Sequence, residues 1–346
     1  MPLDLHLGIF HDLELHLGVP IVFQDDRRWA FAAGTSAANT TLYRNCTDTR
    51  GNACSTPGAG EGTLFDMSGE QHSYRSGLGD FTFGLAYAPY VQKKDASKPT
   101  WVLRFDYTLP TATMLNPSVS TSGTTRGNIG ERIHKYTFST AVSKRLGPAE
   151  PYFELKYTLP WRGPGYYSNC DDPSDARMGH AENCGADPAW SRSETGLRPQ
   201  HTGGFLFGTE LTVFEREDRH QRVAFDVRLW VNYFSEGRVY NELSDPLGKL
   251  LYTSDYAQGG GLIGFVGQAA EFVILKASVS LAYNSEHFLT NENIGKDLNK
   301  NGAIDIGANP IEINPNYDNR VDRVGRRFRI EEQFLFNVKV TATFNF

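Results

Sequence analysis

No stretch of the chain approaches the ~18 consecutive apolar residues that a membrane helix requires, and the mean hydropathy is negative at −0.42. A helical membrane protein is therefore excluded. Methionine is scarce, four in 346 residues, while Gly (34), Phe (22) and Tyr (16) are plentiful, a balance that speaks against a helical bundle and for strands and turns. Positive charge is not in excess: 34 Lys and Arg against 40 Asp and Glu leave a net charge of −6, which supplies no electrostatic reason for a nucleic-acid partner. The start lacks the basic segment and the apolar run of about 7–15 residues that mark a secretory signal. Met1-Pro2-Leu3-Asp4-Leu5 goes straight into alternation. A glycine-rich phosphate loop of the strand–loop–helix type is missing too.

What is present is a period of two. Val223, Phe225, Val227, Leu229, Val231 and Tyr233 share one face of a segment whose other face carries Ala224, Asp226, Arg228, Trp230, Asn232 and Phe234. Trp101, Leu103, Phe105, Tyr107 and Leu109 alternate in the same way with Val102, Arg104, Asp106 and Thr108. A helix would spread such residues around its surface, so these segments read as strands. The pattern predicts eleven strands, near Leu3–Ile9, Leu13–Phe23, Leu78–Ala88, Trp101–Leu109, Tyr136–Lys144, Tyr152–Leu159, Gly204–Phe214, Val223–Phe234, Tyr256–Gln268, Phe272–Tyr283 and Arg327–Phe346. The connections between them alternate between short and long, the long ones covering about 24–75, 110–134, 160–201, 235–255 and 284–326.

Strict alternation of this kind is what a barrel writes when it has tight turns at one rim and large loops at the other. A soluble sandwich also alternates apolar and polar residues, but nothing forces its loops to alternate in length. Eleven residues from Val223 to Tyr233 rise about 33 Å at ~3.3 Å per residue, or about 25 Å along a membrane normal at a tilt of ~40°. The expected fold is therefore all-β: one antiparallel up-and-down transmembrane barrel spanning residues 1–346, in contact with membrane lipid. The aromatics near strand ends (Trp101, Tyr107, Tyr157, Trp161, Tyr233, Tyr283) fit the two interfaces.

The last strand carries Val338, Val340, Ala342, Phe344 and Phe346 on one face and stops on the aromatic. It resembles the C-terminal signature of bacterial outer-membrane β-barrels. The resemblance implies an outer-membrane location, a terminal Phe346 read by the barrel-assembly machinery, both termini at the periplasm and an even number of strands. With eleven strands counted, it further implies a complete barrel of twelve, these 346 residues lacking the signal and first strand. A glycine-rich region that is really two strands would mend the parity equally. The run Ser76-Gly77-Leu78-Gly79-Asp80-Phe81-Thr82-Phe83-Gly84-Leu85, followed by Leu103 to Pro110, is similar to the transporter-like barrels grouped under a phenol-degradation (MetA-pathway) heading.

Residues two apart on a strand share a face, so Arg104/Asp106, Glu154/Lys156 and Asp226/Arg228 are expected as ion pairs on the inner wall, with Glu210 and Lys339 unpaired. They either set a solute preference or fill the interior with a satisfied polar network. Keeping Leu7 and Leu15 on one face sets His6 opposite His16, with Asp4 and Glu14 beside them. Cys46 with Cys54, and Cys170 with Cys184, form two local pairs in long loops. Their even count and short spacing favour disulfides over zinc, for which CxxC spacing and flanking His are missing. Asp297-Leu298-Asn299-Lys300-Asn301-Gly302-Ala303-Ile304-Asp305 resembles the first nine positions of an EF-hand-like calcium loop, with Asp297, Asn299, Asn301 and Asp305 as the oxygen donors. It departs at the twelfth position, Ala308, for which Glu312 or Asp318 are the nearby substitutes; the alternative is an Asx-rich turn that binds nothing.

No nucleophile constellation stands out, His72-Ser73 lacking an evident orienting acid. The function expected is passage or uptake of a small solute through a polar lumen. The alternatives are a surface-exposed barrel enzyme acting on lipid or lipopolysaccharide, and a structural or adhesive barrel with calcium- and disulfide-stabilised loops.

Overall fold

Wherever apolar and polar residues alternate in this chain, the computed structural model places a strand; it describes residues 2–35, 70–173, 178–186, 190–270 and 272–344. In chain order the strands are β1 (Pro2–Phe10), β2 (Leu13–Ala30), β3 (Glu70–Leu78), β4 (Phe81–Tyr90), β5 (Thr100–Leu109), β6 (Ile133–Ser143), β7 (Ala149–Arg162) and β8 (Thr202–Arg216). They continue with β9 (Gln221–Phe234), β10 (Gly237–Val239), β11 (Leu251–Thr253), β12 (Tyr256–Ala270), β13 (Val273–Asn284), β14 (His287–Phe288), β15 (Arg329–Ile330) and β16 (Gln333–Phe344).

Eleven of these form one antiparallel meander, β1-β2-β4-β5-β6-β7-β8-β9-β12-β13-β16, curled into a half-barrel. Each of the eleven segments expected from alternation supplies one strand of it. The register keeps like faces together: Gly84 pairs with Asp106, Phe105 with Phe138, and Val231 with Phe205 and Gly259. Because the count is odd, β1 and β16 run in the same direction, so these two edges cannot zip to each other as an antiparallel pair.

Which face lies inside follows from steric crowding. A methyl added at Gly84 would sit 1.9 Å from the His16 ring, one at Gly208 would sit 2.5 Å from Tyr152, and one at Gly260 would sit 2.3 Å from Trp230. All three belong to the polar face. On the apolar face, a methyl at Gly259 meets nothing within 4 Å. Side chains converge on a concave surface and diverge on a convex one, so the polar face lines the hollow and the apolar face looks outward. No second layer covers that outer face among the described residues: Phe138 is 51% exposed, Leu229 62% and Val340 76%.

The segment read as the loop 24–75 needs correction. β2 runs on to Ala30, and β3 pairs with its outer half, Asp25 opposite Arg75 and Trp29 opposite Gln71. The stretch Gln24-Asp25-Asp26-Arg27-Arg28 carries no apolar alternation to read because it projects past the sheet, where polar cross-strand contacts replace an apolar face. A short β10-β11 pair likewise forms inside the segment 235–255 read as a loop, and β14, in the segment 284–326, pairs with β15, which splits off the start of the segment read as the strand Arg327–Phe346.

Candidate functional site

The concave face is built from strand residues two apart. On β5, the Arg104 Nε donates to Asp106 at 3.0 Å, as the i, i+2 spacing requires. Asp106 lies 3.2 Å from His16 Nδ1, and the Arg104 guanidinium reaches His16 Nε2 at 2.8 Å. His16 fits there only because its partner across the ladder is Gly84, which leaves room for the ring. His6 is opposite His16 in register, the rings stack with centroids 5.5 Å apart, and His6 Nδ1 lies 2.7 Å from Glu14.

A second group sits on β7, β8 and β9. Glu210 and Asp226 are directly opposite each other in the ladder, a like-charge pairing that is unfavourable unless cations intervene. Arg228 donates through Nε to Asp226 at 2.9 Å, and the Tyr152 hydroxyl donates to the same carboxylate. Arg222 pairs with Glu210, so Glu210 is not unpaired as its own strand suggested; its cation comes from the neighbouring strand, which intrastrand spacing does not reveal. Glu154 and Lys156, expected as a pair, make no ion pair among the described residues, and neither does Lys339. Sharing a face is a necessary condition for pairing and not a sufficient one.

Over the long-loop rim lies a structured cap which, among the described residues, holds the buried apolar clusters. Leu243, Leu247, Leu251, Leu289 and Val321 pack together with Trp29, Phe328 and Ile330 against them. Ile133, Tyr167, Leu197 and Leu250 form a second cluster. Buried polar groups join the loops. Arg75 on β3 pairs with Asp245, donates from Nε to the Tyr240 hydroxyl at 2.9 Å and from Nη1 to the Asn128 carbonyl at 2.9 Å. Arg238 and Glu292 form an ion pair with one contact of 2.7 Å, and the Arg238 Nη1 also reaches the Gly196 carbonyl at 3.0 Å. Asp318 accepts from Arg320 at 2.7 Å and has Lys249 3.9 Å away. Asp322 accepts the backbone N–H of Glu292 at 3.0 Å and of Asp318 at 2.9 Å.

Burial drives the titration of these cap groups. It pushes the Asp322 carboxyl up to about 7, outweighing the Lys249 cation and reinforced by the Glu292 carboxylate. At Asp318 burial acts in the same direction, but Arg320 and Lys249 overcome it and hold the group below the usual carboxylate range.

Cys170 and Cys184 form a disulfide in this cap, with Cα atoms 5.4 Å apart. Cys46, Cys54 and the terminal Phe346 lie outside the described residues. In the calcium-like loop, the Asp297 carboxylate accepts the N–H of Asn301 at 3.2 Å and of Gly302 at 2.8 Å, while Asp305 accepts from the amides of Asn299 and Asn301 at 3.0 and 2.7 Å. Glu312 is fully buried and accepts N–H groups of Leu298, Asn299 and Asp305, which holds its carboxyl below the usual range. Asp318 faces Arg320 elsewhere in the cap. The loop thus closes on its own N–H groups, and no group of three or more His, Cys, Asp or Glu is arranged to hold a metal among the described residues.

Ser73 donates its hydroxyl to Asp245. His72 projects from the other face of β3, stacked on Tyr74, so the two do not form a nucleophile–base pair. The cap as a folded unit escaped sequence reasoning, since its buried polar contacts between loops join residues 30 to 170 positions apart. No protein-family model matches the chain, and no curated protein matches it.

Proposed function

We propose that this chain is an outer-membrane β-barrel that passes or takes up small solutes along its polar concave face, with the cap governing entry at the outer rim. One observation carries the reading: a continuous band of exposed Phe, Leu, Val and Tyr on the convex face, with no layer over it among the described residues, set against a crowded ion-paired wall on the concave face. Lipid tails are the solvent that such a convex band fits, and a water-filled path is what the wall fits.

The test is reconstitution of the refolded protein in planar bilayers. Discrete conductance steps, with heat-dependent mobility in a detergent gel, are the expected result. A protein that stays monomeric without detergent, or that inserts and never conducts under any cap variant, overturns passage.

A further inference from the structure

A hydrogen-bonded row of amides crosses the outer end of the concave face. Asn232 on β9 donates from Nδ2 to the Gln258 oxygen on β12 at 3.4 Å, and Gln258 donates from Nε2 to Asn284 on β13 at 2.9 Å. Asn284 donates to Gln333 on β16 at 2.5 Å, and Gln333 donates to the Glu242 carboxylate of the cap at 3.3 Å. The register sets these side chains level: Asn232 opposite Gln258, Gln258 opposite Asn284, Asn284 opposite Gln333. The Glu242 carboxylate only accepts, so it fixes the direction of every amide behind it. Within the row each amide uses one N–H and at most one oxygen lone pair, which leaves it one of each.

One row further into the sheet, Trp230 lies across Gly260, where an added methyl would sit 2.3 Å from the indole. The indole N–H has no hydrogen-bond partner among the described residues. Ala282 and Leu335 continue that row, so on β9, β12, β13 and β16 neither row carries a charged side chain. Trp230, Asn232, Gln258 and Gln333 are half-buried, and Asn284 is buried.

We infer that this surface binds a neutral saccharide, the sugar ring lying on the Trp230 indole and its hydroxyls bridging successive amides. A hydroxyl both donates and accepts, so it matches the N–H and the lone pair that each amide keeps. A carboxylate or an ammonium group matches only half of them. Neighbouring strands lie ~4.8 Å apart, about the separation of equatorial hydroxyls on alternate carbons of a sugar ring. The indole adds a flat apolar face with an N–H at its edge, which suits a ring with C–H groups on its face and hydroxyls at its rim. The site rests on the solute-passage reading and names its solute class, and its occupancy is measurable whether or not the barrel conducts.

The probe is methyl glucoside, with methoxycyclohexane as its hydroxyl-free counterpart. Each is titrated by calorimetry into the full chain folded in a detergent without a sugar headgroup. Folding of each variant is verified by heat-dependent gel mobility. Methyl glucoside is expected to bind, and methoxycyclohexane to bind at least about tenfold more weakly. Trp230→Leu and Gln258→Leu each weaken methyl glucoside by about tenfold, while Lys98→Gln at the opposite rim leaves it unchanged. Equal affinity for the two probes, no glucoside binding by the folded protein, or full affinity in Trp230→Leu or Gln258→Leu overturns the site. Glucoside binding in a barrel that never conducts sinks passage and leaves the site standing; conductance without glucoside binding does the reverse.

Discussion

Arg75 and Asp245 are 170 positions apart in sequence and form a buried ion pair in the cap, the Arg75 side chain 2% exposed. The pair joins the β2–β3 hairpin to the loop between β10 and β11, and through the Asn116 and Asn128 carbonyls to the loop between β5 and β6. Removing one member leaves the other charge buried and unpaired, a loss of about 3–5 kcal/mol that falls on the cap alone. Asp245→Ala is expected to open the cap: protease cleavage within residues 235–255 accelerates while the barrel keeps its heat-dependent gel shift. On the proposed function, the same variant raises conductance over wild type. An unchanged cleavage rate refutes the lock.

The cap's stability should depend on pH in two windows. Asp322, at about 7 in the folded protein against about 4 unfolded, binds its proton more tightly when folded. Its contribution is whole below about pH 4 and is lost as pH rises towards 7. Asp318 is shifted the other way, so its contribution is whole above about pH 4 and is lost as pH falls through its folded value. The cap is thus expected to be most stable in mild acid. In urea titrations read by tryptophan fluorescence, wild type loses stability relative to Asp322→Asn between pH 4 and 7. Parallel curves for the two proteins across that range would disprove it.

The two faces predict opposite outcomes for glycine replacement. Gly84→Ala places a methyl into the His16 ring and the Asp106 carboxylate, and such overpacking costs about 1–3 kcal/mol. Gly259→Ala on the outer face meets open space, and removing a strand glycine there is expected to gain about 0.5–1 kcal/mol. Equilibrium unfolding of the two variants in one detergent gives the comparison, and a reversed order contradicts the assignment of inside and outside.

Arginine scanning checks the solvent of each face. Phe138 and Ser139 are neighbours on β6 and point to opposite sides. If lipid covers the outer face, Phe138→Arg costs about 2–4 kcal/mol near the bilayer midplane, whereas Ser139→Arg meets the polar wall. Insertion yield into lipid vesicles should fall for the first and hold for the second. Equal yields would mean that lipid does not contact Phe138.

How much of this was legible beforehand can be argued from particular residues. Val223 to Phe234 announced both the strand and its two faces, because side chains on a strand alternate whatever surrounds them. The hairpin register that set His6 opposite His16 was readable for the same reason. Arg104/Asp106 and Asp226/Arg228 followed from spacing alone. Glu210 did not, since its partner Arg222 comes from the next strand, and the spacing that suggested Glu154/Lys156 produced no contact. The outer half of β2 was hidden because polar residues satisfied by another hairpin leave no periodicity.

By itself, then, the sequence determined the eleven-strand meander, the identity of its greasy and polar faces and the rim that carries the long connections. Each of these depends on local alternation and on chain length between strands, and needs no distant partner. The tertiary structure alone decided that the long connections fold into a cap with its own core, that Arg75 meets Asp245, and that Gln333 meets Glu242. Those are encounters between residues remote in sequence, selected by burial and charge pairing in three dimensions, and no periodicity along the chain encodes them.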